Sequence, residues 1–181
     1  MVLVFMQKNI RIVRLTNDYV IGDFDCGNCD LNDFLLHDAK NYANRLLAVT
    51  YLLVNDAETI AFFSVSNDRI SIKESDKATW RRIKKEFPYS KHRSDYPAVK
   101  IGRLGVCENY QGNHIGRMIL NFVKDTFINN NRTGCAFITV DALPDAISFY
   151  QKNGFKFLQA SSPIDSTKDT IPMYYDLSQL L

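Results

Sequence analysis

Between Ala98 and Phe127 the hydrophobic pattern changes period across one short polar turn. Val99, Ile101, Leu104 and Val106 suit a strand. From Ile115 onward, Ile115, Met118, Ile119, Phe122, Val123 and Phe127 recur at helical spacing and mark one face. Between them lies the polar stretch Glu108-Asn-Tyr-Gln-Gly-Asn-His114. A strand that passes through a glycine turn into an amphipathic helix commits the chain to a sheet that carries helices on its faces.

The flanking sequence agrees. Ile10, Ile12, Val13 and Leu15 read as a first strand over 10–15. Asp30 suits a helix N-cap, and Leu31, Phe34, Leu35, Ala39, Tyr42 and Leu46 predict an amphipathic helix over 31–46. Residues 47–54 and 59–66 read as a hairpin about the Asn55–Asp56 turn. The polar stretch 67–97 predicts a short helix and a long loop. The apolar run 135–140 is a buried strand. Pro144 suits the first turn of a helix, and Gly154 is its natural stop. Residues 155–158 and 172–177 are the last strands. The expected order is β, α, ββ, (α), β, α, β, α, ββ, a mixed α/β (α+β) sheet flanked by helices. No repeat or linker divides the 181 residues, so one domain is expected over 1–181.

An apolar fraction of 46% supplies a core, and 23% charge excludes a disordered or fibrous chain. No apolar run approaches the roughly 20 residues that span a bilayer. Met1 to Met6 lacks the charged leader and cleavage site of a signal peptide, so the expectation is a cytoplasmic protein without a membrane partner. Cys26 and Cys29 form a CxxC, but Cys107 and Cys135 fall in predicted strands and His37 stands alone. A structural zinc site needs two further ligands at paired spacing, so no metal is expected.

The turn before the 115–127 helix carries the chemical signal. The first turn of a helix presents unpaired N–H groups and a partial positive charge, which suit a phosphate or pyrophosphate. Gly112 and Gly116 allow close backbone approach, and Arg117 adds charge. The Walker Lys-Ser/Thr and the dinucleotide GxGxxG spacing are both absent.

Gln111-Gly-Asn-His-Ile-Gly116 resembles the acyl-CoA loop of the GNAT superfamily, Gln/Arg-x-x-Gly-x-Gly/Ala, with His114 where the first glycine usually lies. Asp141-Ala-Leu-Pro-Asp-Ala-Ile-Ser-Phe-Tyr-Gln-Lys-Asn-Gly-Phe155 resembles the superfamily's Asn-x-x-Ala-x-x-Phe-Tyr-x-x-x-Gly-Phe stretch, with Ala146, Phe149, Tyr150, Gly154 and Phe155 matching in spacing and Asp141 replacing the commoner Asn. The resemblance covers about residues 47–177 and implies the GNAT fold and an acetyl-CoA-dependent N-acetyltransferase. It places the pyrophosphate on the backbone N–H groups of Gly112, Asn113, His114, Ile115, Gly116 and Arg117, with Gln111, Asp141 and Phe149 as further cofactor contacts. Phe24 to Leu36, Ala48 to Tyr51 and Thr170 to Leu177 are similar to the branch that contains toxins acetylating the α-amino group of aminoacyl-tRNA. That branch implies an antitoxin partner, and dimerisation is common in the superfamily.

Acyl transfer to an amine needs a neutral amine, a polarised carbonyl, a proton for the departing thiolate and alignment. A backbone N–H near Val106 would polarise the carbonyl, and Leu104 to Val106 would pair with the pantetheine arm. Tyr150 is the candidate acid, since a phenol titrates near ~10 against ~8.5 for a thiol; core filling beside Phe149 is the competing reading. Glu108 is the nearest carboxylate for a base and equally suits a solvated position. An α-amino group is roughly one-seventh neutral at pH 7, a lysine only about once in 2,500. A site without a strong base therefore favours α-amines.

Residues 73–93 hold eight Lys/Arg and three acids, a net +5 against −3 for the rest of the chain. Such clustering can track a phosphate backbone, and Trp80, Phe87 and Tyr89 could stack on bases. Arg81, Arg82, Lys84 and Lys85 are the candidate nucleic-acid contacts. The alternative is a solvated amphipathic helix that packs Trp80, Ile83 and Phe87 on the sheet. An acetyltransferase of small or protein amines, and a non-catalytic CoA-binding module, remain open at this stage.

Overall fold

The computed structural model describes residues 4–5, 10–55, 58–73, 75–85, 93–131, 133–159 and 170–181. The chain forms two compact units, Met1–Ser66 with Ile101–Leu120, and Asn67–Lys100 with Asn121–Leu181. Strands β4 (Thr59–Ser71) and β5 (Asp95–Val106) and helix α4 (Ile115–Asn129) contribute residues to both.

In the first unit the strands follow as β1 (Val4–Phe5), β2 (Ile10–Arg14), β3 (Val49–Val54), β4, β5. Antiparallel pairing sets Val13 opposite Leu52 and Tyr51 opposite Phe63. Alternation along β3 and β4 delivers Leu52, Val54 and Phe62 to one face. Phe34, Leu35 and Ala39 pack there, with Leu15 and Phe24. Each such side chain contributes about 1.5–3 kcal/mol when fully buried.

The helix that supplies them differs from the expectation. It runs as α1 (Cys29–Asp33), a π-helical turn (Phe34–Asp38) and α2 (Ala39–Asn44). Its N-cap is Asn28, whose side chain accepts from the Leu31 N–H at 3.1 Å; Asp30, the expected cap, lies in the first turn. The π turn holds one residue more than an α turn, so the buried stripe slips beyond Ala39. Tyr42 is accordingly 40% exposed, while Leu46 falls past the end of α2, at φ 58° and 92% exposed.

In the second unit the order is β4, β5, β6 (Phe137–Ala142), β8 (Ile171–Asp176), β7 (Lys156–Phe157). The apolar run of β6 is buried as expected and pairs antiparallel with β8, Val140 opposite Met173. Helix α3 (Lys77–Lys85) lays Trp80 and Ile83 against Tyr96, Phe137 and Tyr174. The expected loop over 67–97 is shorter, because β4 continues to Ser71 and β5 begins at Asp95. The fold is the mixed α/β sheet flanked by helices that the element order predicts.

Candidate active site

The end of β5 is shaped by one glycine. A Cβ on Gly105 would lie 2.7 Å from the Phe62 ring and 3.4 Å from Cys26 Sγ, so no side chain fits. Leu104 and Val106, on either side, are half-buried. Beyond them Cys107 N–H donates to the Ile60 carbonyl at 2.9 Å, and a 3₁₀ turn, Glu108–Tyr110, follows. Tyr110 donates to Glu58 at 2.5 Å and accepts from Asn55 at 3.2 Å. Gln111 ties the loop down: its Nε2 donates to the carbonyls of Cys26 and Val106, both at 3.0 Å.

After Gln111 the backbone enters the left-handed region twice, at Gly112 (φ 76°) and His114 (φ 60°). Histidine is among the residues that tolerate this region, which explains how it stands where glycine is usual. Successive turns of this kind aim amides toward a common point, an anion nest. Helix α4 starts at Ile115, buried at 8% exposure, and Met118 N–H closes the first turn on the His114 carbonyl at 3.0 Å. Among the described residues, no acceptor meets the backbone N–H groups of Gly112 through Arg117. Asn113 turns its side chain inward, toward the Tyr110 and Gln111 carbonyls. Arg117 is exposed. This row of open donors at the front of a 15-residue helix fits a diphosphate.

Tyr150 sits in α5 (Ile147–Lys152), three residues before the cap. The helix is entered through a 3₁₀ turn with Pro144 in its first positions. It ends in a Schellman motif. Gly154, at φ 87°, donates to the Gln151 carbonyl, and Phe155 N–H donates to the Tyr150 carbonyl, both at 3.0 Å. Phe155 then turns its ring to within 5.3 Å of the Tyr150 ring, and Phe149 packs edge-on from the other side at 5.1 Å. The spacing Phe-Tyr-x-x-x-Gly-Phe is thus the physical requirement of this turn. Tyr150 is 8% exposed, and burial pushes its phenol up to about 12. Its hydroxyl has no hydrogen-bond partner among the described residues.

Of the other candidates, Asp141 ends its reach in an ion pair with Lys100. Glu108 is exposed, and its N–H donates to the Asp25 carbonyl. None of the four cysteines is in a disulfide, and among the described residues no group of three or more His, Cys, Asp or Glu could hold a metal. No helix among the described residues is long and apolar enough to cross a membrane.

The basic stretch divides in two. Arg82 is engaged with Tyr174, donating to its hydroxyl from Nε at 3.1 Å and from a terminal nitrogen at 2.7 Å. Arg81, Lys84 and Lys85 instead line a groove of about 470 Å³ with Ile72, Ser75 and Lys77. Trp80 borders that groove but is only 6% exposed, so its ring is core rather than a platform for a base. Phe87 and Tyr89 lie outside the described residues.

Residues 82–157 match the model of the acetyltransferase (GNAT) domain. That stretch of the chain is similar to a GNAT acetyltransferase domain. Solved structures agree on the fold. A bacterial toxin superposes with a TM-score of 0.76 at 19% identity, over 94% of this chain and 92% of that one. A Tyr-to-Phe mutant of KacT gives 0.74 at 24% identity, over 95% and 99%. AtaT complexed with acetyl-methionyl-tRNAfMet gives 0.75 at 19%, over 94% and 96%. At this identity the likeness establishes the fold alone.

Three residues that shape these segments escaped the sequence reading. Gly105 carried no signal beyond its type. Arg103, one residue before Leu104, lies over the Phe34 ring at 5.2 Å with Asp30 3.6 Å from its Nε. Lys124 is a buried cation on α4, 8% exposed; a charge beside the apolar stripe was its one visible sign.

Proposed function

We propose that this protein transfers an acetyl group from acetyl-CoA to an α-amino group, with aminoacyl-tRNA as the acceptor. The observation that carries the acetyl-CoA reading is the row of backbone N–H groups from Gly112 to Arg117 with no acceptor among the described residues. Bound acetyl-CoA supplies a thioester whose carbonyl is open to an amine. The protein's share is to hold and to protonate. Gly112 through Arg117 anchor the diphosphate, with Gln111 keeping the loop in place, and Leu104 to Val106 offer backbone groups to the pantetheine arm.

Tyr150 Oη holds the proton required by the departing sulfur. The acceptor amine gives up one proton and the thiolate takes one, so the balance closes at the phenol. Burial keeps Tyr150 neutral well beyond physiological pH, the state a donor needs. It also makes the phenol a weaker acid than a thiol. Transfer is therefore shared while the carbon–sulfur bond breaks, rather than completed in advance.

The tRNA part rests on the cationic groove of Arg81, Lys84 and Lys85 and on likeness to toxins of this kind. A structure of AtaT with the C-terminus of its antitoxin and acetyl-CoA supports an antitoxin partner here as well. Incubation with labelled acetyl-CoA tests the acceptor, using bulk charged tRNA beside free amines and peptides. Label in the aminoacyl ester, lost on mild alkaline hydrolysis, is expected. Label only in small amines or protein would move the protein to the runner-up reading, in which α3 is simply a solvated face.

A further inference from the structure

Helix α5 is six residues long, too short to be stable by itself, yet it must hold Tyr150 in one orientation. The Schellman turn engages the carbonyls of Tyr150 and Gln151, and the carbonyl of the cap residue Asn153 is met by a side chain. Lys124 supplies its donor. Its Nζ lies 2.8 Å from that oxygen and 3.8 Å from the centre of the Tyr175 ring, with the Phe155 ring at 5.8 Å. Tyr175 in turn closes on Gly154, where an added Cβ would meet its ring at 2.9 Å. Phe155 packs tilted against Tyr175 at 5.6 Å and edge-on against Tyr150 at 5.3 Å.

A cation at a helix C-terminus opposes the exposed carbonyl charge, and burial strengthens both that contact and the contact with the ring face. We infer that Lys124 is a positioning residue for Tyr150: its ammonium clamps the last turn of α5 through the Asn153 carbonyl and the Tyr175–Phe155 rings, and so sets the direction of the phenol. This rests on the reading of Tyr150 as the proton donor.

The test compares Lys124→Gln with Lys124→Arg in the full chain. CoA thiol release is followed from acetyl-CoA, with bulk aminoacyl-tRNA or a short peptide amine as acceptor, whichever turns over. Lys124→Gln is expected to lower kcat about tenfold with the KM for acetyl-CoA unchanged, and Lys124→Arg to recover to within about threefold of the original. In a Tyr150→Phe background Lys124→Gln should have no further effect. If Lys124→Gln is too unstable to assay, Tyr175→Leu removes the ring seat and carries the same expectations. A folded variant with unaltered kcat overturns the inference, and so does an equal loss in the Tyr150→Phe background. If Tyr150→Phe alone leaves kcat intact, the reading of Tyr150 fails instead, and the two failures are told apart.

Discussion

The front of α4 and the back of α5 treat the polypeptide backbone in opposite ways. At the front of α4 six consecutive N–H groups point at nothing in the described protein. At the back of α5 the carbonyls of Tyr150, Gln151 and Asn153 are all met, by Phe155, Gly154 and Lys124. Both ends use a left-handed glycine, yet Gly112 has no atom within 4 Å of its would-be Cβ, while Gly154 is closed on by Tyr175. An end left open is a place for a partner from outside. An end tied shut holds a side chain of its own still. In the proposed reaction, gripping the donor and delivering a proton would be divided along that line.

The comparison can be broken most decisively at Tyr150. Tyr150→Phe is expected to cut kcat by about 10²–10⁴-fold, while calorimetry finds acetyl-CoA binding unchanged. Parallel loss of binding would show that the two ends are not separable.

Next in size is a pH effect. Burial pushes the folded phenol up to about 12, against about 10 in the unfolded chain. A raised pKa means that stability is fully present below pH 10 and falls as pH rises through 12, by up to about 2–3 kcal/mol. Urea titrations between pH 10 and 12 should show Tyr150→Phe with a flatter decline than the parent. The rate should also rise through the acceptor's own pKa, near ~7.8 for an α-amine, with no fall from Tyr150 below pH 10.

The two glycines sharpen the contrast. Gly154→Ala meets both strain and a ring and should cost about 2–3 kcal/mol by thermal denaturation; Gly112→Ala meets strain alone and should cost about 1 kcal/mol. Equal costs would mean that the tied end is no tighter than the open one. His114→Gly comes last: relief of strain is offset by a looser unfolded chain, so stability should move by under about 1 kcal/mol, and the KM for acetyl-CoA should not rise.

Sequence pattern located most strands and helices because alternation and the 3.6-residue period are local properties, and β6 or α4 need no distant partner to be seen. The turns themselves were legible for the same reason: the turn chemistry of Gly112 and of Gly154-Phe155 is written within a few residues. What it missed depends on contacts far along the chain. Trp80 reads either as a stacking platform or as core until Tyr96 packs against it. Arg82 reads as one more surface cation until Tyr174, 92 residues away, takes two of its donors. Lys124 meets Asn153 across 29 residues. The stripe over 31–46 failed differently, since a period of 3.6 cannot anticipate one surplus residue.

That surplus has a consequence for how the chain tolerates changes in length. A wide turn at Phe34–Asp38 is where a helix stores an insertion without unravelling. Deleting one residue there would leave a continuous regular helix and rotate everything after it by about 100°. Tyr42 would swing off the solvent side, and the lost residue would be felt as a twist rather than a gap.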